Sequence, residues 1–379
     1  MRLTVAITIV ALTLGGNLRL IAGQTETADA SRLCGRIASQ LHQPDNAALR
    51  YCAALRQDPH NAAALNGLGI ALAQRKMYGD AVTAYKLALR LHSHRAEIEK
   101  NLGIAYVQTG NFHAAAQALR ESVALNGTDA QARTLLGMAL YGARDYAAAA
   151  GQLAIAAKAG PHNTKLLFVL AECYLLSHQP QQTLQVFEKI EEQQPNSAAA
   201  YMLLGQALDG LRRYDQAILE FKKAAAAAPT APNVHFILGY LYWKRRKFDR
   251  AEAEFRQELA GNPTNAEARA YLGDIRYRRG DWEPARQLLA QALSDGCGIR
   301  LIYLDLGIID ARSRHYAVAV RELHKAVALD PTQTDAHYRL AIAYKGLGNT
   351  AAMNKELETI KEMEAENRAV VQQHVLGRP

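Results

Sequence analysis

Residues 68–103 read LGIALAQRKMYGDAVTAYKLALRLHSHRAEIEKNLG and begin and end on the same pair, Leu68-Gly69 and Leu102-Gly103. The pair returns every 34 residues, at Leu136-Gly137, Leu204-Gly205, Leu238-Gly239, Leu272-Gly273 and Leu306-Gly307. Leu170-Ala171 and Leu340-Ala341 fill the two gaps, and no insertion or deletion breaks the spacing over these nine copies. A fixed period of this length marks a solenoid, in which each unit buries its apolar face only by stacking on its neighbours. The period overrides the two or three globular domains that 379 residues would otherwise suggest.

With the frame started at Ala62, the pair takes the seventh and eighth places. The twentieth place then reads Ala81, Ala115, Ala149, Thr183, Ala217, Ala251, Ala285, Ala319 and Met353. The thirty-second reads Ser93, Gly127, Pro161, Pro195, Pro229, Pro263, Cys297, Pro331 and Ala365. One more unit fits at 28–61, where Cys34-Gly35, Ala47 and Pro59 take the same three places. Small residues at the eighth and twentieth places predict two helices that approach closely. Proline at the thirty-second ends the second helix, because it cannot continue one. Gly110-Asn111 and Gly280-Asp281 predict the turn within a unit, with glycine releasing one helix and Asn or Asp capping the next. Pro44, Pro180 and Pro284 fall in the first turn of a second helix, where a missing N–H is tolerated.

In these residues the chain closely resembles the tetratricopeptide repeat family. The resemblance implies an all-α fold, an α-α superhelix of antiparallel helix pairs. It divides the chain into a degenerate first repeat at 28–61 and nine repeats over 62–367, with the end of a capping helix and a tail at 368–379. The nine run 62–95, 96–129, 130–163, 164–197, 198–231, 232–265, 266–299, 300–333 and 334–367. Residues 349–374 read as one long polar-faced terminal helix, with Lys355, Glu356, Glu358, Lys361, Glu362 and Glu364 outside. Thr183 and Met353 depart from the small place. Arg276 and Asp310 replace the large side chain at the eleventh, which predicts looser packing in those units.

The chain opens on Met1-Arg2, followed by an uncharged run from Leu3 to Gly16. A basic start and a run of about 14 apolar residues fit a secretory signal peptide over 1–23 and fall short of a membrane span; an uncleaved anchor is the alternative. The expected location is therefore exported, periplasmic or secreted, with no transmembrane span beyond that signal. Of the four cysteines, Cys34 and Cys173 fall at buried places, Cys297 replaces a turn proline, and Cys52 shares a place with Lys86, Arg120, Lys222 and Arg256, which predicts exposure. Cys34 and Cys52 lie in one unit and point different ways, which predicts unpaired structural cysteines, with a bridge between them as the alternative. The net charge is +8, and loss of Arg2 and Arg19 with the leader leaves +6, a modest excess for this length.

The family resemblance implies that the second, fifth, ninth, twelfth and thirteenth places line a concave groove. These places hold Tyr141, Phe168, Leu175, Met202, Phe236, Tyr240, Trp243 and Tyr277 in the middle units. Exposed in a groove, such residues would anchor a protein or peptide partner; packed between neighbouring first helices, they would be core. Basic residues gather where first helices end: Arg212, Arg213, Lys244, Arg245, Arg246, Lys247, Arg278 and Arg279. They read either as cations complementing the negative helix end or as a rim for an anionic surface or partner. The family's clamp for a C-terminal carboxylate finds no match, since Lys100 and Lys165 are followed four residues later by Ile104 and Val169.

Catalytic motifs are absent, no metal or cofactor site is evident, and no nucleic-acid recognition motif occurs. His92-Ser93-His94 has no third ligand. About a dozen residues follow the last unit, which leaves no room for an appended enzyme. The expectation is a non-enzymatic scaffold that binds partner segments in its groove. The alternative is an assembly or export factor for pili, outer-membrane proteins or polysaccharide, acting at a membrane or anionic glycan surface.

Overall fold

The computed structural model describes residues 27–40, 47–91, 96–231 and 233–376, with side chains to 369. Among them are twenty helices and no strand. The first pair is α1 (27–40) and α2 (Ala47–Gln57). There follow α3 (Ala62–Gln74) and α4 (Tyr78–Leu91), α5 (Ala96–Gln108) and α6 (Phe112–Leu125), α7 (Ala130–Gly142) and α8 (Tyr146–Ala159), and α9 (Thr164–Leu176) and α10 (Pro180–Gln193). Then come α11 (Ala198–Gly210) and α12 (Tyr214–Ala227), α13 (Val234–Lys244) and α14 (Phe248–Gly261), and α15 (Ala266–Arg279) and α16 (Trp282–Ser294). The series closes with α17 (Arg300–Arg312) and α18 (Tyr316–Leu329), α19 (Thr334–Gly346) and α20 (Thr350–Leu376). The expected all-α class of stacked antiparallel helix pairs is therefore the observed one. The chain forms two compact units, Met1–Pro195 with Gln206–Arg212 and Asn196–Gly205 with Arg213–Pro379. The leader predicted at 1–23, Pro44 and the His92-Ser93-His94 turn lie outside the described residues.

The period has a direct physical cause. A Cβ added to Gly239 would sit 2.7 Å from the Phe255 ring, and one added to Gly273 would sit 2.7 Å from Leu289. Glycine at the eighth place lets the ring or leucine sixteen residues later lie flat on the first helix. The alanines at the twentieth place from Ala81 to Ala319 are fully buried. Thr183 is accommodated among them because its hydroxyl donates to Ala171 O at 3.3 Å. Pro161, Pro195, Pro229, Pro263 and Pro331 each directly follow the C-cap of a second helix. Asn61, Asp129, Asn163 and Asn265 cap first helices by accepting the third backbone N–H.

The turn within a unit requires a left-handed residue at the fifteenth place. Gly110, Gly280 and Gly348 supply it in three units. Lys76, Arg144, His178, Arg212, Arg246 and Arg314 adopt it elsewhere, with φ between 57° and 63°. A non-glycine residue there costs roughly 1 kcal/mol. Several of the cations that crowd the helix ends thus occupy a turn that the fold imposes, beside carbonyls that favour positive charge. Asp281 does not cap α16 as predicted; its carboxylate instead accepts from Arg276 at 3.1 Å. The looser packing expected at Arg276 and Asp310 is likewise replaced by ion pairing. Arg276 reaches Glu252 at 2.7 Å, and Asp310, nearly buried, meets Arg286 at 3.3 Å.

The first pair departs from the period, and the departure corrects the cysteine reading. The frame places Ala47 inside, yet Ala47 is exposed and Ala48, Cys52 and Leu55 are buried. A shift of one residue rotates a helix by about 100° about its axis. Tyr51, at the place where Tyr85 and Leu119 are buried, consequently turns outward and covers Gly67 of α3. The rotation brings Cys52 inward, and it forms a disulfide with Cys34 across a Cα separation of 5.5 Å. Cys173 and Cys297 are buried and unbridged. Burial pushes the Cys173 thiol up to about 12, a poor setting for reactivity. One acidic residue of the polar-faced terminal helix also differs: Glu356 turns inward and lies 2.7 Å from His337 Nδ1.

Candidate protein-binding surface

Phe236, Tyr240 and Trp243 follow at spacings of four and three, so they stand on one face of α13. The neighbouring first helix sets Tyr271 against all three, with ring centroids 6.1, 5.4 and 5.0 Å away. Phe255 of α14 stacks beneath Tyr271 at 5.5 Å. The three α13 rings are half-buried. Each packs against Tyr271 of the neighbouring first helix and keeps part of its surface accessible. Burial raises the Tyr271 hydroxyl above the usual phenol range. Tyr271 was not among the sequence-predicted residues. Its signal was a ring at the sixth place, where other units carry Gly67, Asn101, Leu135 and Val169.

A polar bracket holds this cluster from one side. Trp243 Nε1–H donates to Asp274 Oδ2 at 2.5 Å, and Arg278 Nε–H donates to the same oxygen at 2.6 Å. The Arg278 guanidinium also lies over the Trp243 and Phe248 rings at 5.8 and 5.6 Å. Asp274 is fully buried, and Asp305 of α17 is buried beside it. Burial first, then the adjacent Asp274 carboxylate, pushes the Asp305 carboxyl well above the usual carboxylate range. Among the described residues Asp274 Oδ1 and Asp305 Oδ2 have no hydrogen-bond partner; the upward shift favours a proton on Asp305, which would supply the missing donor.

The sign of the resulting linkage is fixed. The unfolded carboxyl titrates near 3.9, at about the ordinary value, and the folded one titrates higher. Stability is therefore lost as pH rises from the unfolded value through the folded one. Asp305→Asn keeps a donor for Asp274 and removes the titration. It is expected to raise the urea midpoint at pH 8 and to lose that advantage as pH falls towards 4. A difference between the two proteins that ignores pH would refute the assignment.

The remaining predicted groove residues are distributed. Tyr277, six residues after Tyr271 on α15, meets Trp282 of α16 edge-on at 5.4 Å. Met202 is half-buried on α11. In the other unit, Tyr141 donates to Glu172 at 2.8 Å and meets Tyr146 edge-on at 5.6 Å. Burial and then Glu172 push its hydroxyl up to about 12. Phe168 and Leu175 are half-buried on α9.

The predicted rim cations are largely engaged within the molecule. Arg278 is paired with Asp274, and Arg279 with Asp249 at 2.6 Å and with Glu252. Arg245 and Lys247 share Asp215 at 3.2 and 3.9 Å. Lys244 lies over Tyr214 and Tyr240 at 4.7 and 5.3 Å. Arg212 and Arg246 occupy the left-handed turn, and Arg213 is exposed ahead of α12. Beyond Tyr277 lies a cavity of about 580 Å³ that the sequence did not single out. Trp282, Tyr316, Ile308 and Ile342 give it an apolar floor, and Arg312, Arg339 and Lys345 stand around it. Among the described residues no group of His, Cys, Asp and Glu is arranged to hold a metal ion, and no helix is long and apolar enough to cross a membrane.

Comparison with known proteins agrees with this architecture. The family model described as tetratricopeptide repeat matches residues 35–96, 100–164 and 238–297. A second, described as anaphase-promoting complex, cyclosome, subunit 3, matches 142–224. A tetratricopeptide repeat protein from Parabacteroides merdae superposes on 65% of this chain and 98% of its own, with a TM-score of 0.52 and 16% identity. YrrB, described as a TPR protein with an unusual peptide-binding site, covers 53% of this chain and 100% of its own at a TM-score of 0.46 and 19% identity. Pseudomonas aeruginosa pilF covers 64% of this chain and 94% of its own at 0.42 and 18% identity. No curated protein matches the chain.

Proposed function

Because the chain is a tetratricopeptide repeat protein, and such proteins mediate protein–protein interaction, we propose that it is a non-enzymatic scaffold that docks a partner segment across the α13–α15 face. The observation that carries this reading is the Phe236, Tyr240, Trp243 and Tyr271 cluster, whose rings fix one another while each stays half-buried. Rings already held in place lose little freedom on binding, so their contact area converts efficiently into affinity. The neighbouring cations are mostly engaged with residues of the chain itself, so they contribute orientation more than attraction.

The scaffold works in an exported, oxidising compartment. Two features support this: the basic-then-apolar leader at 1–23 and the disulfide between Cys34 and Cys52, a bond that reducing compartments do not sustain.

A photo-crosslinking residue at Tyr240 is expected to trap one partner in the native host, and the same residue at Ala253, exposed on α14, is not. With that partner purified, Tyr240→Ala should weaken binding about thirtyfold, the effect of losing an aromatic anchor of about 2 kcal/mol. Trp243 is the wrong position for this test, because its hydrogen bond to Asp274 makes it a structural residue as well. Equal affinity of the Tyr240→Ala protein, with an unchanged melting curve, removes this face as the docking site.

A further inference from the structure

The cavity beyond Tyr277 gathers cations that the chain itself leaves unmatched. Arg276, Arg278, Arg279, Arg286 and Arg300 on the neighbouring helices each have a carboxylate within 4 Å. Arg312, Arg339 and Lys345 have none among the described residues, and no carboxylate lines the cavity. Arg312 is held in place by the Trp282 ring, 4.4 Å below its guanidinium. Of the buried acids on α15 and α17, Asp274 is committed to Arg278, and burial and the Asp274 carboxylate push Asp305 towards its neutral form. Three positive charges thus converge on an apolar floor, where Ile342 is 38% exposed.

We propose that this cavity binds an acidic segment of a partner protein, with an apolar side chain set between two carboxylates. The charges call for an anion, and the low-dielectric floor strengthens its attraction. An inorganic anion or a glycan carboxylate would leave Ile308, Ile342 and Tyr316 uncovered. A peptide supplies both chemistries at once, and 580 Å³ is within the range of pockets that enclose a few side chains. The spacing fits as well. Arg339 and Lys345 are six residues apart on α19, a rise of about 9 Å. Alternate residues of an extended segment face one way at about 3.3 Å per residue. A Glu-x-Leu-x-Glu segment therefore turns both carboxylates and the leucine towards the cavity. Its acidic residues lie about 13 Å apart, and the long cationic side chains close the difference. The proposal rests on the protein-binding reading above and names the chemistry of a second contact on the same unit.

The test uses the full chain and a fluorescein-labelled, end-blocked peptide, Glu-Ser-Leu-Ser-Glu, read by anisotropy. Saturable binding is expected. It should weaken at least tenfold when both glutamates become glutamine, when the leucine becomes glycine, or with Lys345→Glu, whose side chain is exposed at the end of α19. Arg312→Lys, which keeps the charge, should bind within threefold of the parent. No saturable binding, equal binding of the glutamine peptide, or indifference to Lys345→Glu overturns the proposal. Capture of phosphatidylglycerol vesicles in place of the peptide, abolished by Lys345→Glu, also overturns it and gives the surface to a membrane. Tyr240→Ala should leave the peptide affinity unchanged. A partner lost with Tyr240→Ala and kept with Lys345→Glu would retain the α13–α15 face and sink only the cavity.

Discussion

Replacing Glu252 with alanine is expected to destabilise the protein by about 3 kcal/mol, the lower end of the range for removing one side of a buried ion pair. Glu252 is nearly buried on α14, and three arginines converge on it. Arg256 approaches at 2.6 Å and Arg276 at 2.7 Å, and Arg279 meets the second carboxylate oxygen. Its hydrogen bond raises the Arg279 guanidinium above its already high ordinary value. The lower end applies because parts of all three arginines reach water, and water compensates them when the carboxylate is gone. Arg276 suffers most, since it stands at a place where Leu72, Leu208 and Tyr242 are buried in other units. Urea unfolding would give the size of the loss, and hydrogen exchange would place it on α14, α15 and the start of α16. A second substitution, Arg276→Leu, should recover part of it by restoring an apolar side chain at that place. A loss below about 1 kcal/mol, the scale of surface ion pairs, would mean that the network is a surface decoration.

Removing the Cys34–Cys52 bridge, as Cys34→Ser with Cys52→Ser or by reduction, is expected to cost the first helix pair about 3 kcal/mol, the loop-entropy value for a closure of this size. The loss should be local. Contacts in a stacked array run between neighbours, so a loss in one helix pair need not spread to distant ones. Amides of 27–40 and Ala47–Gln57 should exchange faster in the bridgeless protein, while those of α13–α16 keep their protection. Uniform loss across both units would contradict this reading, and so would unchanged protection in α1 and α2. The bridgeless protein should still bind a partner that docks on α13–α15. Stability of the end and affinity of the face are thereby separable.

The period made most of the fold legible, because the helix ends, the close contacts and the turn prolines recur with the same physical cause in each unit. It misled where a residue type fitted the place and the geometry had moved. Ala47 satisfies the small place, yet a rotation of α2 by one residue makes Ala48 the buried one. No count of spacings shows that rotation, and the disulfide depends on it. Arg276 and Asp310 violate their place, and the sequence alone does not show that Glu252 and Arg286 stand opposite. For the binding surface, the α13 rings were visible from their spacing of four and three. Tyr271 and Arg339 were not, since both stand at the sixth place, which is small, polar or aliphatic in other units, and Lys345 is a lone cation at the twelfth place, among rings at Tyr141, Trp243 and Tyr277.

By itself, then, the sequence determined the period, the helix pairs and the aromatic face of α13, because these follow from local spacing and from backbone conformations that only certain residues tolerate. The tertiary structure decided which charges are already matched and which stand open. Arg278 and Arg312 occupy the same place in successive units, and one meets a buried aspartate while the other faces a cavity. Charge is a property of the residue, but its compensation depends on what the neighbouring helix brings within about 4 Å, the range over which a pair interacts strongly.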